Sequence, residues 1–439
     1  MGIVQAGVSR VTITPPVGVY LIGFAGRAGG SRDVRDDLYA TALAVSDGAT
    51  EAVIVSCDLL VVHHDLVQRV RQEASARTGV PGENMLFCAT HTHSGPPTCT
   101  YPDSPPILQA YVDNLAALLA GAIQVAHDRL APARFAFGRG EARIGVNRRL
   151  TRPDGVTVIA ANPAGPLDPE VGVLRVDTAD GRPLAVVVNH ACHPVVLGAD
   201  SNVVSADWPG AMRRVVEQAT GARCLFLQGA CADVNPLPGG PTDREDVLER
   251  LGTEVGGQVI AAWARVEPQA ADTVRVAGER LLVPLWRASQ YEREAPALVE
   301  WAEVGGESGR DRLRAVLEAS TPWTPELAGA GDGQRLAVQV QAIRIGEVVV
   351  AAAAGEIFVE TGLAVKRRSP LANTMFAAYA NGLAGYFPLP EDYPRGGYEV
   401  DESYLFYRLP APVAPEAAGL VEETAIRLLH EVAEEGERV

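Results

Sequence analysis

Three stretches of the sequence are apolar at nearly every consecutive position: "EAVIVSCDLL" at 51–60, "PLAVVVNHA" at 183–191 and "EVVVAAAAG" at 347–355. A strand with one wet face alternates apolar and polar residues, so an unbroken β-branched run has both faces covered. This pattern constrains the fold more than any other feature. Similar short runs follow at "YATALAVSD", "NMLFCAT", "RFAFGRGEARI", "VGVLRVDT", "CLFLQGA", "RVAGERLLVPL", "LAVQVQAIRIG" and "TMFAAYA". Between them lie helical stretches: "HDLVQRVRQEASART" at 64–78, "PPILQAYVDNLAALLAGAIQVAHDRL" at 105–130, "WPGAMRRVVEQAT" at 208–220, "REDVLERLGTEVGGQVIAAWARV" at 244–266 and "PEAAGLVEETAIRLLHEVAEEGE" at 415–437. Strands buried on both faces and alternating with helices imply an α/β fold, with mixed β-sheets packed between α-helices. "ADGRPLA" and "RIGEV" are read as hairpin turns. No repeat or linker divides the 439 residues, so the chain is read as one domain, 1–439. A helical insertion or lid is expected at about 285–333, where Glu, Arg, Gly and Pro accumulate.

Charge narrows the partners. Thirty-eight Lys and Arg face 54 Asp and Glu, a net charge of −16, which disfavours nucleic acid and anionic membranes. The N-terminus has no basic region followed by an apolar run, and no apolar run approaches the ~20 residues of a membrane span. The expectation is a cytoplasmic protein, in one or more copies, acting on a small molecule. Six cysteines without a C-x-x-C pair are expected to be buried thiols.

Several apolar runs end in polar clusters, and in α/β folds sites form at the carboxyl ends of strands. Asp58 follows the first run and "HTHSGPP" the "NMLFCAT" run. His190 and His193 follow "PLAVVV", "QGACADVNP" follows "CLFL", and Glu356 follows "VVVAAAA". Four of the eight histidines thus sit at two strand ends. On a strand, His91 and His93 at i and i+2 would point to one side. The alternative for either alone is a hydrogen-bonded strand-end histidine; together with "NHACHP" and Glu356 they suggest a metal site of zinc type. Asp58 is expected to orient a ligating histidine. Asp233 reads as a ligand, a partner of a ligating histidine or a cap, and the backbone of "QGACADVN" offers an anion-binding turn as the alternative. His63 and His64 are read as a solvated pair at a helix start, and His127 and His430 as structural or exposed. The sequence contains neither a G-x-x-x-x-G-K-[ST] loop nor a G-x-S-x-G elbow, which removes P-loop ATPase and α/β-hydrolase chemistry.

With these clusters the chain resembles the neutral ceramidase family, zinc-dependent amidases, over roughly residues 5–400. "ATHTHSGP" is the most specific element. The resemblance implies Zn2+ held by His91, by His193 of "CHP", by Glu356 of "AGE" and by Tyr386. It implies pocket roles for His93, for Arg148 of "GVNRR" and for Tyr398, which stands in the register Tyr386, Glu391-Asp392-Tyr393, Tyr398-Glu399. Where the family has a serine, "ADVNP" carries Asn235, which can donate a hydrogen bond but cannot act as a nucleophile. The chain ends without room for the family's immunoglobulin-like C-terminal domain, which shifts the expectation from ceramide toward a soluble substrate. The implied reaction is hydrolysis of an N-acyl amide by an activated water. The alternatives are an esterase, lactonase or deacetylase acting on a small metabolite, or a non-catalytic zinc-binding relative.

Overall fold

A computed structural model of the chain describes residues 3–24, 27–100, 104–286, 325–329 and 333–434. Strands β1 (Gln5–Thr12), β2 (Tyr39–Ser46) and β3 (Glu51–Cys57) pair antiparallel; helix α1 (His64–Thr78) then leads to β4 (Met85–Ala89), parallel to β3. After helix α2 (Pro106–Asp128) comes β5 (Ala131–Glu141), which pairs with β1. The antiparallel pair β6 (Gly145–Thr151) and β7 (Thr157–Asn162) lies outside this sheet. The hairpin β8 (Glu170–Thr178) and β9 (Pro183–His190) rejoins it, and helix α3 (Asp207–Thr220) connects to β10 (Arg223–Gln228), parallel to β9. The sheet order is β10-β9-β8-β5-β1-β2-β3-β4, with Gln269–Ala270 pairing on β5. Strand β11 (Val234–Pro236) pairs with β6, and helix α4 (Glu245–Ala264) follows.

The second sheet contains β12 (Val274–Pro284), β13 (Arg335–Ile345) and β14 (Val348–Ala353). A two-residue strand, β15 (Glu356–Ile357), and helix α5 (Val359–Arg368) precede its last member, β16 (Asn373–Ala377), which is parallel to β14. Strand β17 (Tyr386–Phe387) pairs with β15, and helix α6 (Ala417–Ala433) closes the described chain. The expected insertion at 285–333 lies almost wholly outside the described residues.

The two sheets stack face to face with helices outside, and the strand residues show why. Ala52 and Ile54 of β3, Ala185 and Val187 of β9, and Val348, Val350 and Ala352 of β14 share the layer between the sheets. Their neighbours Val53 and Val55, and Val349 and Ala351, face an outer core with α1, α2 and α6, while Val186 and Val188 pack with α3 and α4. Each fully buried Val, Leu or Ile stabilises by roughly 1.5–3 kcal/mol, so both faces of these strands must be covered. The two expected hairpins form, at 178–183 and around Gly346. Helix α5 and the β6–β7 pair were not anticipated; α5 is ten residues continuing an apolar run, and Val158 and Ile159 of β7 are too few to mark a strand.

The expectation that no segment reaches membrane-span length needs correction. Helix α2 has 23 residues and is apolar enough to cross a bilayer by length and composition. Here Leu108, Tyr111, Leu115, Leu119 and Ile123 pack into the core, a stripe at helical spacing.

Candidate metal centre

The three parallel pairs of the large sheets, β3/β4, β9/β10 and β14/β16, end at one place. His91 lies two residues beyond β4, His193 three beyond β9, Glu356 three beyond β14 and Tyr379 two beyond β16.

His91 does not sit on a strand. Its backbone has φ of 67°, in the left-handed region that costs a non-glycine residue about 1 kcal/mol or more. Its amide donates to Leu59 O and its Nδ1 to Leu60 O, both at 2.8 Å, which holds the turn. Convergence with His93 comes from that turn rather than from strand alternation: the two Nε2 atoms are 3.2 Å apart. Tyr379, at φ of 55°, stacks on the His91 ring at 4.0 Å. His193 donates from Nδ1 to Cys231 O at 2.7 Å, with Val234 O at 3.2 Å. The carbonyls fix the tautomers, leaving the Nε2 lone pairs of His91 and His193 for the centre. The ligand atoms of His91, His93 and His193 lie within 4.8 Å of one another.

Glu356 completes the group. Its Oε1 lies 3.4 Å from His91 Nε2 and its Oε2 3.8 Å from His193 Nε2. Strand register places Tyr386 directly opposite Glu356 in the β15/β17 ladder. His193 Nε2 and Glu356 Oε2 are buried without a hydrogen-bond partner. A buried carboxylate oxygen and a buried imidazole lone pair facing each other are costly unless a cation lies between them. Burial pushes the pKa values of His91, His93 and His193 below the ordinary imidazole value; the neighbouring Arg148 adds to the effect at all three. Neutral imidazoles and a carboxylate make a donor set that fits a divalent metal of zinc type.

Beside this group stands an electrostatic bridge. Arg148 donates from Nη2 to Tyr386 Oη at 3.1 Å, from Nη1 to Asn235 Oδ1 at 3.3 Å and from Nε to Glu399 Oε1 at 2.9 Å. Glu399 also accepts from Arg149, which pairs with Asp392. Asn235 therefore holds Arg148 through its oxygen, and its amide nitrogen donates to Gly239 O at 3.2 Å. The Tyr398 ring stands edge-on to Tyr386 at 5.6 Å, with the Arg148 guanidinium 5.8 Å from its centre. The His93 ring packs on Phe24 and over Gly23, whose φ is 114° and where a Cβ would come within 2.6 Å of the imidazole. All eight expected site residues, His91, His93, His193, Glu356, Tyr386, Arg148, Asn235 and Tyr398, are thus brought into one connected constellation.

Other expectations fail. Asp58 does not support a histidine; its carboxylate accepts from the Tyr39 amide at 2.8 Å and pairs with buried Arg213 at 2.7 Å. Backbone carbonyls take its expected place, because the turn after β3 runs directly under His91. Asp233 accepts from the Val359 amide at the start of α5 and from Asn147, so it joins elements. Within "QGACADVN" the amides of Gly229, Ala232 and Val234 donate to His190 O, Ile357 O and Cys231 O, so these three are not available to an anion. His190 donates to Glu170 O, away from the centre. His63 is not solvated: it is 1% exposed and its Nδ1 accepts from the Asp65 amide, capping α1. Two readings hold: His127 is structural, pairing with Glu51, and His430 is exposed. The six cysteines are free thiols, five of them buried.

Two residues escaped the sequence reading. Tyr379 was only part of a strand-like run. Tyr407, in "YLFYR", donates its hydroxyl to Glu356 Oε1 at 2.9 Å; no motif marks it, and it lies 51 residues from its partner.

The sequence profile of the neutral/alkaline non-lysosomal ceramidase family, N-terminal region, matches residues 4–264. Neutral ceramidase A of Dictyostelium discoideum is 26% identical over 288 residues, 59% of this chain and 40% of that protein. Neutral ceramidase of Pseudomonas aeruginosa is 24% identical over 432 residues, 82% of this chain and 63% of that protein. This chain therefore spans less than two thirds of either relative. A crystal structure of neutral ceramidase from Pseudomonas aeruginosa has the same fold, with a TM-score of 0.73 at 20% identity, covering 100% of this chain and 76% of that one. A ceramidase complexed with C2 gives the same score over 98% of this chain and 75% of the other. The profile match runs from β1 through α4, more than half of the sequence, and the chain belongs to the neutral/alkaline non-lysosomal ceramidase family.

Proposed function

We propose that this protein is a zinc-dependent hydrolase of the amide bond of an N-acyl substrate. His91, His193, Glu356 and Tyr386 would hold the metal. The observation that carries the reading is the pair of orphaned atoms, His193 Nε2 and Glu356 Oε2, facing each other 3.8 Å apart beside His91. When bound, zinc supplies Lewis acidity and a water that ionises near neutral pH. The chain's own residues do the rest. His93, kept neutral by burial, accepts the proton released as water attacks the carbonyl and passes it to the departing amine. Arg148, held cationic between Glu399 and Tyr386, aims its charge at the carbonyl oxygen where negative charge develops. Tyr398 offers a second donor, and Asn235 keeps Arg148 in place. The products are a carboxylate and a free amine, and no serine nucleophile is required.

The test combines metal analysis of chelator-free protein with a panel of N-acyl amides, p-nitrophenyl esters and lactones. About one zinc per chain and chelator-sensitive amide cleavage are expected. Absence of bound metal refutes the centre; turnover of esters or lactones alone refutes the amide reading.

A further inference from the structure

We propose that Tyr407 is a positioning residue that reserves one oxygen of Glu356, so that this carboxylate meets the metal through Oε2 alone. The inference rests on the metal reading of the site. The two oxygens of Glu356 differ in the structure. Oε1 accepts the Tyr407 hydroxyl at 2.9 Å, whereas Oε2 is buried with no hydrogen-bond partner. Oε1 also lies 3.4 Å from His91 Nε2, but with the Tyr407 hydroxyl engaging it Oε1 is the weaker ligand, and the bare Oε2 is prepared for one-atom coordination.

The backbone secures the contact from two sides. Gly385 O accepts the Glu356 amide at 2.8 Å, and Gly385, at φ of 130°, packs against Tyr407: a Cβ there would meet the Tyr407 ring at 3.8 Å and Leu409 at 3.3 Å. Tyr407 follows the short helical turn Ser403–Phe406, and the bonds from the Arg408 amide to Leu405 O and from the Leu409 amide to Tyr404 O, both 3.0 Å, close the chain around it. Its ring also stands edge-on to Tyr386 at 6.0 Å. Tyr407 thus touches both the carboxylate and the phenol of the proposed donor set. It belongs to neither the histidine motif nor the Tyr386–Tyr398 register. One-atom coordination keeps the coordination number low and leaves room at the metal for water and substrate.

The test is Tyr407→Phe, which removes one oxygen. Metal affinity is measured by competition with a chromophoric chelator, and geometry by the visible spectrum of the cobalt-substituted protein. Expected are a roughly 10–100-fold loss of affinity and a weaker cobalt spectrum as Glu356 turns to two-oxygen contact, both read on folded protein, with a modest fall in the metal-free melting temperature because buried Oε1 loses its donor. Unchanged affinity and spectrum in a wild-type background that binds metal overturn the role of Tyr407 and leave the metal reading intact. Wild-type protein that binds no metal overturns both. Should the variant fold poorly, the wild type decides: infrared difference spectra on zinc addition report the carboxylate stretches, with Glu356→Gln identifying the band. A wide splitting indicates one-oxygen coordination, and a narrow one refutes the proposal.

Discussion

Replacing Asp58 by Ala separates structural support from metal support. The Asp58 and Arg213 side chains are 1% and 7% exposed, and they meet through two contacts of 2.9 and 2.7 Å. Arg213 also lies over the Tyr39 ring at 5.2 Å, and Asp58 takes the Tyr39 amide. Asp58→Ala leaves a buried guanidinium without its carboxylate and a buried amide without an acceptor. Breaking such a pair costs ~3–5 kcal/mol, a large share of the ~5–15 kcal/mol that holds a typical domain folded. With a urea slope on the order of 3 kcal/mol/M, the unfolding midpoint falls by about 1–1.7 M. Removing both charges, as Asp58→Leu with Arg213→Met, restores most of the loss, because the desolvation cost disappears with the ions. Zinc affinity of the folded Asp58→Ala protein, by chelator competition, stays within about threefold of wild type, since the His91 imidazole is held by Leu60 O. A midpoint unchanged within error, or a selective loss of zinc affinity at full stability, refutes the reasoning and returns Asp58 to the metal site.

Other consequences are equally direct. His91→Ala and Glu356→Ala should lose zinc by metal analysis, whereas His93→Ala should retain zinc and lose turnover; loss of metal in His93→Ala would make His93 a third imidazole ligand, as its 3.2 Å approach to His91 permits. Gly23→Ala should lower kcat by at least about tenfold without lowering metal content, because a Cβ 2.6 Å from the His93 ring displaces it and a small misplacement is costly to catalysis. Burial raises the Asp207 pKa from 3.8 to about 7. The folded state therefore holds a proton that the unfolded chain has released, and stability falls as pH rises from about 4 to about 7. Asp207→Asn should flatten that window by up to ~4 kcal/mol in urea titrations across pH, and an unchanged slope would refute it.

Much of the architecture is legible in the chain because burial on both faces leaves a mark on every position. The runs at 51–57, 183–190 and 348–353 lack polar alternation, and each proves to have one side between the sheets and the other under helices. Helix α1 begins and ends where its apolar spacing predicts, closed by Gly79 in the left-handed region. Strand-end clusters likewise pointed to His91, His193 and Glu356, since a polar group closing a buried run needs a reason to be there. The local geometry was less legible. Alternation predicted the convergence of His91 and His93 by the wrong route, because the strand stops at Ala89 and a left-handed residue turns the chain. Asp58 stood close in sequence to the site but found a stronger partner in Arg213, 155 residues away.

The sequence by itself therefore determined the layered sheets, the helices that cover them and the strand ends at which chemistry gathers. These follow from periodicity and apolarity, which are local and repeat along the chain. Only the tertiary structure decided which polar groups meet. His91, His193, Glu356 and Tyr407 come from four separate stretches, and whether an oxygen faces a lone pair, a guanidinium or a phenol depends on the packing of elements far apart in sequence. No pattern within any one stretch carries that information.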